Sequence, residues 1–176
     1  MIWLFLLNFC RLTTGLMFAW SFVGKLRDFR AFEQAVIRFK LLPSWLYRPA
    51  TVLFLSAELG VVVMMLLGGS LLRWGFLLAA LLLTVFSIAL ASVLVRKINI
   101  SCNCFGPSEK PVTSYDIIRN IGFLACALGG WGAALTPQKD LVSFGILEWG
   151  LVLVVAVIFI TVWTQLEEIV QLLRWR

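Results

Sequence analysis

A chain of 176 residues that is 61% apolar, 14% aromatic and only 14% charged, with a mean hydropathy of +0.98, is not a soluble domain, since soluble domains run near ~45–50% apolar and ~25% charged. The absence of histidine excludes haem held by histidine, His-based zinc sites and Ser-His or Cys-His catalysis. The net charge of +6 is dispersed between apolar segments, with no basic patch carrying interleaved aromatics, so it reads as membrane-surface charge and not as a nucleic-acid interface.

The fold class expected is all-α: an integral membrane bundle of four to five transmembrane helices in a single domain covering 1–176. Residues 1–24 form a first span, retained because no basic n-region or small-residue cleavage site precedes it. In 25–40, Leu26, Phe29, Phe32, Val36 and Phe39 recur at helical steps opposite Arg27, Asp28, Arg30, Glu33, Gln34 and Arg38, which predicts an amphipathic helix lying on the membrane surface. Pro43 ends it.

Further spans are expected at 50–67, 72–95, 115–135 and 144–163, the last being the segment whose crossing the sequence leaves open. Gly68 and Gly69 supply a tight turn between the second and third spans. Residues 96–114 make the one extended polar loop.

That loop carries Cys102-Asn103-Cys104-Phe105-Gly106-Pro107. Two thiols one residue apart close a small, strained disulfide ring, and strain favours exchange over stapling. The spacing alone leaves three readings open: a redox pair, two unpaired loop cysteines, or thiolate ligands for a soft metal such as Cu(I). A four-ligand zinc site is not expected, because the other cysteines are Cys10 and Cys126, deep in apolar spans where cysteine ordinarily behaves as a small hydrophobe. A redox pair made from those two is the less common reading.

Charges inside spans cost roughly 2.5–3.5 kcal/mol each at a helix centre. Arg11 lies about 20 Å and Glu58 about 12 Å from the loop-side ends of their spans at ~1.5 Å per residue, an offset an Arg side chain bridges. The expectation is that Arg11 and Glu58 share an ion pair or polar network, the alternative being a protonated Glu58 hydrogen-bonded between helices. Arg119 and Asn120 sit one turn into the fourth span, suited to tuning a thiolate, binding a quinone carbonyl, or snorkelling to head groups.

These residues resemble a known pattern. Gly15-Leu16-Met17-Phe18, Gly24-Lys25-Leu26, Phe32 with Ala35-Val36, Leu41-Leu42-Pro43, Glu58-Leu59-Gly60, Cys102-Asn103-Cys104-Phe105-Gly106 and Arg119-Asn120 follow the order found in MauE and DoxX-like membrane proteins over about residues 10–130. Members commonly carry glycine between the cysteines where this chain has Asn103, a residue that also tolerates tight turns.

The resemblance implies a membrane partner in periplasmic thiol-disulfide metabolism, of the class that matures methylamine dehydrogenase. Cys102 and Cys104 become the redox pair, exchanging with a thioredoxin-like or disulfide-containing protein, and quinone becomes the candidate carrier. Lys25, Glu58, Arg119 and Asn120 become the polar set beneath them, and no resident metal is expected. The implied location is the inner membrane with the loop in the periplasm.

The cation count disagrees. Lys25, Arg27, Arg30, Arg38, Lys40, Arg48, Arg96, Lys97 and Lys110 share the loop side, against Arg73 and Lys139 opposite, which by the positive-inside rule would make that side cytoplasmic. Two other functions stay open: a non-catalytic membrane subunit or assembly factor docking through the amphipathic helix, and a thiolate metal-handling protein.

Overall fold

The computed structural model describes residues 2–39, 43–96, 113–136, 145–166, 168 and 170. In chain order these form α1 (Ile2–Arg27), α2 (Phe29–Phe39), a short 3-10 turn (Ser44–Leu46), α3 (Tyr47–Leu67), α4 (Leu71–Val95), α5 (Ser114–Leu135) and α6 (Ile146–Thr164). No strand occurs among the described residues. Five of the helices are long and apolar enough to cross a membrane, α6 included: its 19 residues rise about 28 Å at ~1.5 Å each. The multi-pass bundle expected from the composition is therefore the fold observed.

α1, α3, α4 and α5 close into a four-helix ring in which α1 packs on α3, α3 on α4, α4 on α5 and α5 back on α1. The chain reverses at each step, so every neighbouring pair in the ring is antiparallel. α6 is added outside, mainly against α1, and buries only Val152 and Ala156 while leaving most of its apolar surface facing outward. Such a surface belongs in lipid. The predicted redox loop at 96–114 falls, for 97–112, outside the described residues. Its flanks, Arg96 and Thr113, end α4 and begin α5 on the same side of the bundle as the C-terminus of α1 and the N-terminus of α3.

The core is made by small residues as much as by large ones. On α5 the inward positions are Asn120, Phe123, Ala127, Gly130, Ala133 and Ala134, and Phe76 of α4 fills the space they leave, wholly buried. Close backbone approach through Gly and Ala is how helices gain packing in lipid, where apolar burial alone supplies no drive. On α1 the buried set Leu7, Asn8, Cys10, Thr13, Thr14, Met17, Phe18, Ser21 and Lys25 is related by three- and four-residue spacings, one broad stripe along the helix.

Two boundaries differ from the sequence expectation for reasons visible in the chain. α1 does not stop at Gly24 but runs to Arg27, because nothing there breaks it; the break comes at Asp28, whose Oδ1 accepts the Ala31 N–H at 3.1 Å and so caps α2. Lys25 is thereby a residue of the first span and not of the amphipathic helix. α3 begins at Tyr47, before Pro49, since a proline in the first turn has no intrahelical N–H to lose. Between α3 and α4, Gly68 and Gly69 take φ of 72° and 61°, which glycine adopts without cost.

α2 is amphipathic as expected, but its apolar face is seated on protein. Phe32, Ala35 and Phe39 are buried, Phe39 in a cluster with Ala89 and Val93 of α4. Arg30, Gln34 and Arg38 remain exposed.

Candidate functional site

Lys25 reaches the last turn of α1 with its side chain turned inward, and Glu58 faces it from α3. The two form a salt bridge, with side chains 3% and 2% exposed, and Ser21, one turn earlier on α1, donates to Glu58 Oε1 at 3.2 Å. Three phenylalanines from three helices close around the ammonium. Phe32 of α2, Phe54 of α3 and Phe86 of α4 hold their ring centroids 4.9, 4.7 and 5.7 Å from Lys25 Nζ. Aromatic faces offer negative potential to a cation that water no longer solvates, so the cage replaces part of the hydration lost on burial.

The expected Arg11–Glu58 pair is not formed. Arg11 turns to the opposite side of the membrane, where its Nε donates to the Met65 carbonyl at 2.7 Å and its Nη2 to the Leu66 carbonyl at 3.0 Å; Trp149 lies 5.9 Å beneath its guanidinium. These are carbonyls of the last turn of α3, which have no intrahelical donor and carry the negative end of the helix dipole. Arg73 does the same for α5, its Nε donating to the Ala134 carbonyl at 3.0 Å. Each arginine thus caps a helix adjacent to its own, α3 and α5 standing across the ring from each other with both caps at one membrane face. Arg11→Met should lower stability by about 1–2 kcal/mol, the net contribution of hydrogen bonds from a charged donor to one part-buried and one exposed carbonyl, read as a fall in the thermal midpoint in detergent. An unchanged midpoint would mean that the α3 carbonyls find other donors.

Arg119 and Asn120 separate. Arg119 Nη2 pairs with Asp116 Oδ1 at 2.9 Å, and its carbonyl accepts the Trp163 indole N–H at 3.0 Å, so it ties α5 to α6 near the helix start. Asp116 also accepts the Thr113 N–H at 3.0 Å, capping α5. Asn120 points into the bundle and is 3% exposed.

Asn120, Ser21, Lys25 and Glu58 line one narrow cavity of about 20 Å³ whose remaining walls include Phe18, Phe54 and Phe86. Glu58 Oε2 and Asn120 Nδ2 find no protein partner among the described residues. A space of that size holds about one water, and an acceptor and a donor facing it are the polar partners a water needs. Beside it lies an apolar pocket of about 160 Å³ under α2, lined by Phe32, Val36, Phe39, Phe54, Phe86 and Ala89 among others. Phe54 and Phe86 are walls of both.

Of the residues singled out in the sequence, Lys25, Glu58 and Asn120 therefore meet in one buried site on the cysteine-loop side, Arg119 stands beside it, and Arg11 belongs to the other face. Cys102 and Cys104 lie outside the described residues. Sequence reasoning missed Ser21, Phe54 and Phe86: a serine or phenylalanine inside an apolar span carries no signal of its own. No cluster of three or more His, Cys, Asp or Glu side chains suited to a metal occurs among the described residues.

Residues 3–135 match the family described as Methylamine utilisation protein MauE. The chain is also 33% identical over 133 residues to a curated relative from Methylorubrum extorquens named Methylamine utilization protein MauE, covering 74% of this chain and 71% of the relative. No solved structure matches. The matched region ends with α5, so α6 lies beyond it.

Proposed function

Because the chain belongs to the MauE family of methylamine utilisation proteins, we propose that it is a multi-pass membrane component of methylamine utilisation that acts as a thiol-disulfide relay. Cys102 and Cys104 cycle between disulfide and dithiol. A thiolate of a thioredoxin-like protein or of a disulfide-bearing client attacks one sulfur, a mixed disulfide forms, and the second thiol of the partner resolves it. Two electrons and two protons change hands per cycle.

The observation that supports this reading is the Lys25–Glu58 pair with Asn120. A charged pair inside a span is costly to keep. This one lies toward the bundle end from which α4 and α5 lead into the Cys102–Cys104 segment, where an acid, a base and a water-sized cavity would carry the protons that thiol exchange releases. Lys25 and Asn120 would also be donors for a quinone carbonyl entering from the apolar pocket, with which their cavity shares the walls Phe54 and Phe86. A bound quinone would supply a two-electron, two-proton acceptor.

The protein resides in the inner membrane with the cysteine loop in the periplasm. A membrane-impermeant maleimide applied to intact cells should label Cys102 or Cys104 after reduction; labelling only after lysis would put the loop inside and overturn the periplasmic assignment.

The Cys102→Ser/Cys104→Ser variant should accumulate normally and abolish maturation of the disulfide-bearing client. A partner that lacks its second, resolving cysteine should be trapped on the wild-type chain as a mixed disulfide that reductant releases. Full client maturation with both thiols gone would leave a non-catalytic assembly role. That role would have to use the exposed face of α2, Arg30, Gln34 and Arg38, since the apolar face is already occupied.

A further inference from the structure

A second pair of thiols, which the relay does not use, is buried in the ring of helices. Cys10 of α1 and Cys126 of α5 lie 116 positions apart in the chain, and their Sγ atoms are 3.7 Å apart. Cys10 is 2% exposed and Cys126 is half-buried. Two isolated cysteines in apolar spans are ordinarily small hydrophobes, but two in contact across a helix interface are placed for chemistry.

Gly130 fixes that interface. A Cβ there would run into the Phe76 ring and come within 2.9 Å of Cys10 Cβ, so the glycine lets α1 and α5 approach this closely. At 3.7 Å the two sulfurs are in contact, and closing to the ~2.05 Å of a disulfide needs an approach of less than ~2 Å. Gly129, on the outer side of the same turn, has nothing within 4 Å of its would-be side chain, and it leaves the surface beside Cys126 open. Cys126 is thus the sulfur a molecule dissolved in the bilayer meets first. The pair is also remote from the loop side: Cys126 lies about 18 Å along α5 from Ser114 at ~1.5 Å per residue.

We propose that Cys10 and Cys126 are an intramembrane redox pair, closing to a disulfide between α1 and α5 and passing their electrons to an apolar oxidant of the quinone class. Two S–H bonds break and one S–S bond forms. The two electrons and two protons reduce the quinone to hydroquinone. An oxidant soluble in lipid is required because a soluble protein does not reach sulfurs at this depth.

The test uses the full chain with Cys102→Ser and Cys104→Ser, reconstituted in lipid nanodiscs, so that failure of the loop relay and failure of this pair are read separately. The probe is a fully substituted benzoquinone, which has no free ring position for thiol addition. After unfolding in detergent, a mass-tagged maleimide should add twice per chain before quinone and not at all afterwards, with one hydroquinone formed per chain and both additions restored by a reductant. With Cys10→Ser as well, the single remaining thiol should be tagged before and after. Two additions persisting after quinone would overturn the proposal, as would loss of tagging without hydroquinone or loss of the lone Cys126 thiol in the Cys10→Ser chain.

Discussion

Replacing Glu58 with Leu should destabilise the protein by roughly 3–5 kcal/mol, because it leaves the Lys25 ammonium buried without its carboxylate. Lys25→Met should cost a similar amount by stranding Glu58 and emptying the cage of Phe32, Phe54 and Phe86. The double variant should recover most of the loss. Two apolar side chains of similar volume can replace a buried ion pair at little or no cost, since neither charge then has to leave water. The cycle is read from thermal midpoints in detergent and from the amount of protein accumulated in membranes. Additive losses in the double variant would show that the two side chains do not act as a pair.

The same cycle separates structure from function. If the pair carries protons for the relay, the double variant should fold and accumulate yet fail to support client maturation. If maturation survives in the folded double variant, Lys25 and Glu58 are a packing device and the proton role is lost.

What was legible in the sequence followed from what lipid demands. Five apolar runs gave five helices because a span needs about 20 apolar residues and the backbone has no other way to satisfy itself in hydrocarbon. Glu58 and Asn120 stood out because polar side chains inside such runs are few.

Partners were not legible in the same way. Depth alone matches Arg11 to Glu58, a measure blind to the unpaired carbonyls at the end of α3 that Arg11 meets instead. The amphipathic pattern that begins at residue 25 puts Lys25 on the surface helix, whereas Asp28 is the residue that caps that helix. The aromatic cage could not be seen at all, since a phenylalanine in a span reads the same whether it faces lipid or a cation. The Cys10–Cys126 contact depends on α1 lying beside α5, an adjacency that no local period encodes.

Two adjacent glycines in α5, Gly129 and Gly130, should respond oppositely to the same substitution. Gly130→Ala places a methyl group against Phe76 and Cys10. Phe76 is wholly buried, so its ring cannot swing clear without disturbing the ring of helices around it. Overpacking of this kind costs about 1–3 kcal/mol, which outweighs the helix gain of roughly 1 kcal/mol that alanine brings. Gly130→Val should cost more and should move Cys10 away from Cys126, since the two helices can separate there but cannot interpenetrate. Gly129→Ala meets nothing within 4 Å and should leave stability unchanged or raise it by up to about 1 kcal/mol. Thermal midpoints of the three variants in one detergent decide the matter. Equal tolerance at 129 and 130 would mean that α1, α4 and α5 do not meet at Gly130, and would remove the close approach on which the buried thiol pair depends.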